Sequence, residues 1–268
     1  VDAYLASDGL PIDQSPLYDP GNPFENRDPR LDASIIRPQS NFGGFVFETN
    51  PDSVQTWQVD GDGAHLNRIA NLDATNPFAT FTGYLWRKYN PVQDYPEFRR
   101  VSQLNFMLIR YAEVLLTYVE ASIEENIIDQ TVLDALNSVR ARAYGVNVGQ
   151  TADYPAITTM DQTQLRSILR NERKVELAYE GFRLFDIRRW GIADEVLDGP
   201  LVGRPIRSYE TIPAPPDIDD ETGHPDYGVH IGLYRRVMPR TFRSHDWLFP
   251  IPQDEINANE KIEQNPGF

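Results

Sequence analysis

Apolar residues recur every three or four positions in a few stretches of this chain and lose that rhythm elsewhere. The first stretch starts near residue 101: Leu104, Leu108, Ala112, Leu115, Leu116, Val119 and Ile123 form one stripe, with Arg110, Glu113, Thr117, Glu120 and Glu124 opposite. One long helix is predicted. A second follows Asp129, with Val132, Leu136, Val139 and Ala143 inward and Gly145 as its C-terminal cap. The connection is about four residues, which predicts an antiparallel hairpin. Asp161 opens a third helix, and Gln164 three residues on predicts a variant capping box. Its stripe runs through Leu165, Ile168, Leu169, Val175 and Tyr179 to Gly181, and a shorter helix from Phe182 to Trp190 stops at Gly191.

The third stripe carries a contradiction, because Glu172 and Glu176 fall on its apolar side. A buried unpaired carboxylate costs several kcal/mol or becomes protonated, so cations must accompany them. Arg173, Arg183, Arg188 and Arg189 are the cations available for this. Two helices locked by an internal network of Glu172, Arg173, Glu176, Glu180, Arg183, Asp186 and Arg189 are therefore expected.

Residues 1–100 are dense in turn signals: Asp8-Gly9, Asp19-Pro20-Gly21-Asn22-Pro23, Asn50-Pro51-Asp52, Asp60-Gly61-Asp62-Gly63 and Asn76-Pro77. Gly44 to Glu48 and Tyr84 to Tyr89 are short β-prone runs. After Gly191 the chain returns to irregular structure, with an acidic run from Asp217 to Glu221 read as a solvated loop. Leu248-Phe249-Pro250-Ile251-Pro252 must be extended around its prolines, and Asn265-Pro266-Gly267 closes a turn. The 21 prolines among 268 residues exceed the usual ~5% and fit long irregular connections.

A net charge of −15 argues against nucleic acid and anionic membrane surfaces as partners. Cysteine is absent, which removes disulfides, thiol nucleophiles and Cys-ligated zinc. His65, His224, His230 and His245 have no metal-binding spacing, and neither a phosphate loop nor a serine elbow is present. Asp60 to Gly63 lacks the EF-hand partners, having Gln58 and Ile69 where acids would stand, so a tight turn is the better reading. No metal and no cofactor is expected. The opening VDAYLASDGLPID has neither signal-peptide features nor Met, and it is read as the interior of a longer protein.

Five motifs, in order, resemble the SusD/RagB family of nutrient-binding surface lipoproteins. They are Asn26-Arg27-Asp28-Pro29-Arg30-Leu31; Gly83-Tyr84 with Lys88-Tyr89; Arg110 to Leu116 with Glu120-Ala121; Glu172-Arg173, Glu176, Glu180-Gly181, Arg183, Asp186 and Arg189; and Leu248 to Pro252 with Gln264 to Gly267. The resemblance implies a mostly α fold of tetratricopeptide-like helix pairs plus a large irregular, loop-rich subregion with short strands. It makes residues 1–268 a C-terminal half, which the turn signals and apolar stripes divide into a loop-rich subregion (1–100), a helical framework (101–191) and an irregular return (192–268). The absent N-terminal half would carry a lipid anchor. By the same resemblance the protein sits at the outer-membrane cell surface beside a SusC-like TonB-dependent transporter. It is not an enzyme there, but captures oligosaccharides, or in the alternative peptides. No 34-residue repeat is visible, so the repeat relation comes from the family alone.

A glycosidase would need one carboxyl held protonated, and the arginines around the Glu172–Arg189 acids work against that. Sugar rings instead need aromatic faces flanked by polar groups. Trp57, between Gln55 and Gln58 and near Asn67 and Arg68, is the first candidate, against a role as loop anchor. Tyr84 and Trp86 share a face with Lys88 if their run is a strand, with core packing as the competing reading. Trp190 and Trp247 are assigned to the core.

Overall fold

A computed structural model describes residues 1–92, 102, 104, 105 and 107–268. Its elements are α1 (Arg30–Ser34), β1 (Ile35–Ile36), β2 (Asn41–Phe42), β3 (Phe45–Val46), β4 (Gln55–Val59), β5 (His65–Ala70), α2 (Leu72–Thr75) and β6 (Leu85–Trp86). Then come α3 (Tyr111–Glu124), α4 (Gln130–Ala143), α5 (Gln162–Glu176), α6 (Arg183–Arg189), α7 (Ala193–Leu197), β7 (Leu201–Pro205), β8 (Asp217–Ile218), β9 (Pro225–Asp226), β10 (Tyr234–Met238) and α8 (Gln253–Ala258).

Helix α3 packs on both α4 and α5, and the main core lies between them: Leu116, Val119 and Ile123 meet Val132, Leu136, Val139, Leu165 and Leu169. The stripes predicted this core. The caps are local and equally legible: Asp129 Oδ1 accepts from Thr131 N and Val132 N at 2.9 and 3.2 Å. After α4, Gly145 has φ +71°, and the amides of Gly145 and Val146 donate to the carbonyls of Arg142 and Ala141 at 3.1 and 3.0 Å. Those are the two bonds of a Schellman ending. Gly191, at φ +72°, closes α6 the same way.

Two boundaries and one cap differ from the sequence pattern. Helix α3 begins at Tyr111, and the extended backbone of Arg110 (φ −135°, ψ 157°) turns its guanidinium toward α5. Leu104 and Leu108, predicted on the inner stripe, are 48% and 80% exposed. The part of that expectation at 93–101, 103 and 106 lies outside the described residues. Helix α5 stops at Glu176, a full turn before Gly181, and Tyr179 is exposed in the left-handed region at φ +63°. The cause is competition for one carbonyl. The Glu176 oxygen accepts from Lys88 Nζ at 2.9 Å and Arg110 Nη2 at 2.7 Å, so the Glu180 amide turns to Leu177 O instead. Finally, Gln164 does not complete a capping box: Asp161 Oδ1 accepts from Gln164 N, but the Gln164 side chain accepts from Thr159 Oγ1.

The loop-rich portion holds more pairing than its turn signals suggest. Strands β2 to β5 form a four-stranded antiparallel sheet in sequential order, β1 pairs with β6, and β7 pairs with β10. The acidic run is no free loop. It forms the β8–β9 hairpin, whose turn is held by Asp219 Oδ1 accepting from Glu221 N, Thr222 N and Thr222 Oγ1. At the C-terminal end, Leu248 is extended (φ −106°, ψ 161°), and Gly267, at φ +96°, closes its turn against the His245 ring. Trp190 and Trp247 pack with Ile187 and Ile192, as assigned.

Candidate functional site: an aromatic cavity, a hairpin platform and their ionic brace

The β4–β5 hairpin is turned by Asp60, whose Oδ1 accepts from Asp62 N at 3.0 Å and Ala64 N at 2.8 Å, with Gly63 at φ +83°. Its carboxylate is thus occupied in making the tight turn. Trp57 stands opposite Arg68, whose guanidinium carbon lies 4.3 Å from the indole centroid. The His65 ring stacks on the same indole at 4.8 Å, 11° from parallel. Trp57 is therefore a half-buried member of a stack in an edge hairpin. Every residue of β5, Asn67 and Arg68 included, is exposed.

Tyr84 and Trp86 belong to a different group. They help line a cavity of about 370 Å³ together with Asp2, Tyr18, Tyr209, Tyr227 and Tyr234. The Tyr209 hydroxyl donates to Tyr84 at 3.3 Å, the Tyr227 hydroxyl donates to Asp2 at 2.7 Å, and Phe24 packs edgewise on Tyr84 and Tyr209. Burial pushes all five phenols above their ordinary value, that of Tyr209 to about 12. They stay neutral at physiological pH, as donors and acceptors with apolar faces. Trp86 also stacks on Tyr179, centroids 4.9 Å apart and 15° from parallel. Tyr179 and its neighbour Tyr89 are both left-handed, at φ +63° and +60°. Such backbone is uncommon outside glycine and clusters at functional sites.

One wall of the cavity depends on a glycine. A Cβ on Gly203 would lie 2.7 Å from the Cα of Thr82 and closer still to its carbonyl oxygen, which accepts from Arg204 N at 2.8 Å. Backbone cannot swing aside as a side chain can. Gly203→Ala is expected to cost about 1–3 kcal/mol, the range for overpacking, and to displace β7. A thermal-unfolding midpoint equal to that of the parent would show that the approach is not tight.

The acids of α5 and α6 hold the scaffold, but their network is not internal to that run. Arg30 pairs with Asp28, Glu172 and, at 3.1 Å, Glu176; Arg110 reaches Glu176 at 2.6 Å and Glu180 at 2.7 Å. Lys88 pairs with Glu180, Arg142 with Glu176 and Arg140 with Glu172. Around α6, Arg173 and Arg189 share Asp186, both also meet Glu120, and the Trp190 indole N–H donates to Glu120 at 2.7 Å. Arg183 departs from expectation: it pairs with no acid among the described residues and donates to Thr222 O at 3.2 Å. Arg188 likewise binds carbonyls, those of Asp246 and Trp247, and lies 4.2 Å from the Phe249 ring centroid. The five motifs of the sequence thus meet in space.

These surroundings keep Asp28, Glu120 and Glu176 ionised. Burial alone raises Glu176, but Arg30, Arg110 and Arg142 outweigh it and hold the carboxyl below the usual range. Asp28 is lowered against its burial by Arg30, and Glu120 by Arg189 and Trp190. A general acid for glycoside cleavage requires the reverse.

The five candidate binding residues therefore fall into two groups, Trp57, Asn67 and Arg68 on the hairpin and Tyr84 and Trp86 in the cavity wall. Sequence reasoning missed Asp2, Tyr18, Tyr209, Tyr227 and Tyr234, which come from opposite ends of the chain. The only hint was the density of tyrosine between 209 and 234.

The sequence profile of the SusD family matches residues 1–268. The chain belongs to the SusD family. A SusD-like carbohydrate binding protein from Bacteroides fragilis is 33% identical and superposes with a TM-score of 0.66, 97% of this chain matching 46% of that one. SusD-like protein P38 of Formosa agariphila is 31% identical over 184 residues, which are 67% of this chain and 34% of that protein. SusD-like protein P2 of the same organism is 28% identical over 172 residues, 63% of this chain and 27% of its own length. The chain thus spans about a third or less of these curated SusD-like relatives and about half of the solved one.

Proposed function

We propose that this SusD-family chain is part of a non-catalytic cell-surface protein that captures oligosaccharides and delivers them to a SusC-like TonB-dependent transporter in the outer membrane. The observation that carries the reading is the cavity of neutral tyrosines, with Tyr84 and Trp86 in its wall. Phenol and indole faces suit the C–H surface of a pyranose, and phenol hydroxyls suit its oxygens. The similarity to a SusD-like carbohydrate binding protein supports the same ligand class. In the same reading the protein is lipid-anchored, and the chain divides at about residues 100 and 191 as its turn signals and helical stripes suggest. Cleavage is disfavoured because Asp28, Glu120 and Glu176 are held ionised by their surroundings.

Titration calorimetry against a panel of oligosaccharides and peptides tests the proposal, with product analysis of each mixture. Oligosaccharide binding without turnover is expected. Selective peptide binding would move the protein to the peptide-capturing branch, and turnover would make it an enzyme.

The hairpin platform is the second contact in this reading. Trp57→Ala removes a stacked ring worth about 0.5–1.5 kcal/mol beyond its buried area, so affinity should fall about tenfold. Glycan affinity unchanged in that variant would take Trp57, Asn67 and Arg68 out of the site.

A further inference from the structure

Beside the tyrosine-lined cavity lies a second cleft of about 510 Å³, and the two share Pro23 and Tyr209. We infer that they form one groove, and that its ligand is a neutral oligosaccharide long enough to run from the aromatic cavity into this polar cleft. The inference rests on the glycan-capturing reading above and adds the charge class of the sugar and the path it takes.

Charge decides the first half. Each arginine of the cleft is already engaged. Arg204 is buried, and its donors go to Glu48 at 3.2 Å, Thr49 Oγ1 at 3.1 Å and the carbonyls of Pro205 and Arg207 at 3.2 and 3.1 Å. Arg37 pairs with Glu25 and lies over the Phe24 ring at 5.7 Å. Glu210 adds a further carboxylate to the lining, Asp2 stands in the adjoining cavity, and the chain carries a net charge of −15. A uronate or sulfate entering here meets carboxylates and displaces an existing ion pair. A neutral sugar instead donates its hydroxyls to those same carboxylates, in charge-assisted bonds about twice as strong as neutral ones.

Geometry decides the second half. Gln39 lines the cleft at φ +66°, a left-handed backbone for a residue that is not glycine, and it is held there by its amide donating to Phe47 O at 2.6 Å. Gln39 is exposed, and its side-chain amide, with no protein hydrogen bond among the described residues, is open to solvent and offers a ligand both donors and acceptor. Left-handed backbone outside glycine clusters at ligand contacts, and here it sets a solvent-facing amide on the wall of the cleft. Tyr209 stands at the junction, set by Phe24 at 5.8 Å and by the Arg204 guanidinium 5.1 Å from its centroid. A chain of sugars passing from one cavity to the other must cross it.

Calorimetry of the full chain with neutral oligosaccharides from disaccharide to hexasaccharide, each beside a uronic-acid oligomer of equal length, tests this. Affinity should rise with length in the neutral series and be roughly tenfold or more weaker for the uronates. Gln39→Gly, which relaxes the backbone and removes the amide, should lower hexasaccharide affinity about tenfold while leaving the disaccharide unchanged. Gln39→Asn, which keeps an amide and tolerates the left-handed region, should restore much of that loss. Equal affinity across lengths, tighter uronate binding, or a hexasaccharide insensitive to Gln39→Gly overturns the inference while glycan capture stands. Binding of peptides and of no oligosaccharide overturns the glycan reading itself, and this inference with it.

Discussion

Arg30→Ala is expected to destabilise the protein by about 3–5 kcal/mol, the cost of leaving buried charges without their partner. That is a large part of the 5–15 kcal/mol that holds a typical domain folded. Arg30 is buried and bridges Asp28, Glu172 and Glu176, which are 2%, 1% and 2% exposed in their side chains. Removing it takes a partner from three carboxylates at once and leaves Asp28 without its salt bridge. Arg140, at 3.8 Å from Glu172, and Arg110 and Arg142, each at 2.6 Å from Glu176, remain and limit the loss. Urea denaturation measures it as a drop in midpoint with an unchanged slope. Adding Glu172→Gln should recover part of the loss, since it removes one stranded charge. A midpoint that does not move in Arg30→Ala would mean that the network contributes specificity of fold and no net stability. By the same argument Glu176→Leu should damage folding more than ligand binding, because it leaves Arg30, Arg110 and Arg142 facing an apolar side chain.

Acid should unfold the protein through the same groups. Asp28, Glu120 and Glu176 all have folded values below their ordinary ones, so the unfolded chain binds protons first as pH falls. The stability they supply is complete above the unfolded values near 4 and is lost as pH drops through the lower folded values. Lys174 acts at the other end. Burial and the nearby Arg183 lower it to about 7, so between pH 7 and its unfolded value near 10 the unfolded state holds the extra proton and stability rises. A profile falling steeply below about pH 4 and climbing gently above neutrality is therefore expected, read as urea midpoint against pH. Stability that is flat from pH 6 down to 3 would contradict the depressed carboxylates, and a decline between pH 7 and 9 would contradict Lys174.

What was legible in the sequence was what depends on near neighbours. The α3–α4–α5 core and the glycine endings of α4 and α6 follow from residues a few positions apart, and the periodicity revealed them. The presence of acids on the α5 stripe was legible too, but their partners were sought within the run. The structure supplies Arg30, Lys88, Arg110, Arg140 and Arg142 from far along the chain, and periodicity carries no information about such distances. Family resemblance had marked Arg30, Lys88 and Arg110 as motif residues without giving their physical reason. Trp57 was read as part of a loop because β5 is exposed throughout and offers no apolar alternation to betray a strand. The tyrosine cavity was invisible for a related reason: Asp2, Tyr18, Tyr84, Tyr209 and Tyr234 become neighbours only once β6, β7 and β10 have been placed.

Arg30 and Lys88 grip the same short piece of chain, the one at Glu176 and the other at the Glu176 carbonyl and Glu180. Everything from residue 31 to 87, including the sheet, the Trp57 hairpin, Gln39 and Tyr84, leaves and returns at one clasp. With both ends pinned side by side, a longer or shorter insert changes the closure entropy only slowly. Insertions and deletions between residues 31 and 87 are thus expected to leave the two clasping cations and the helical frame in place.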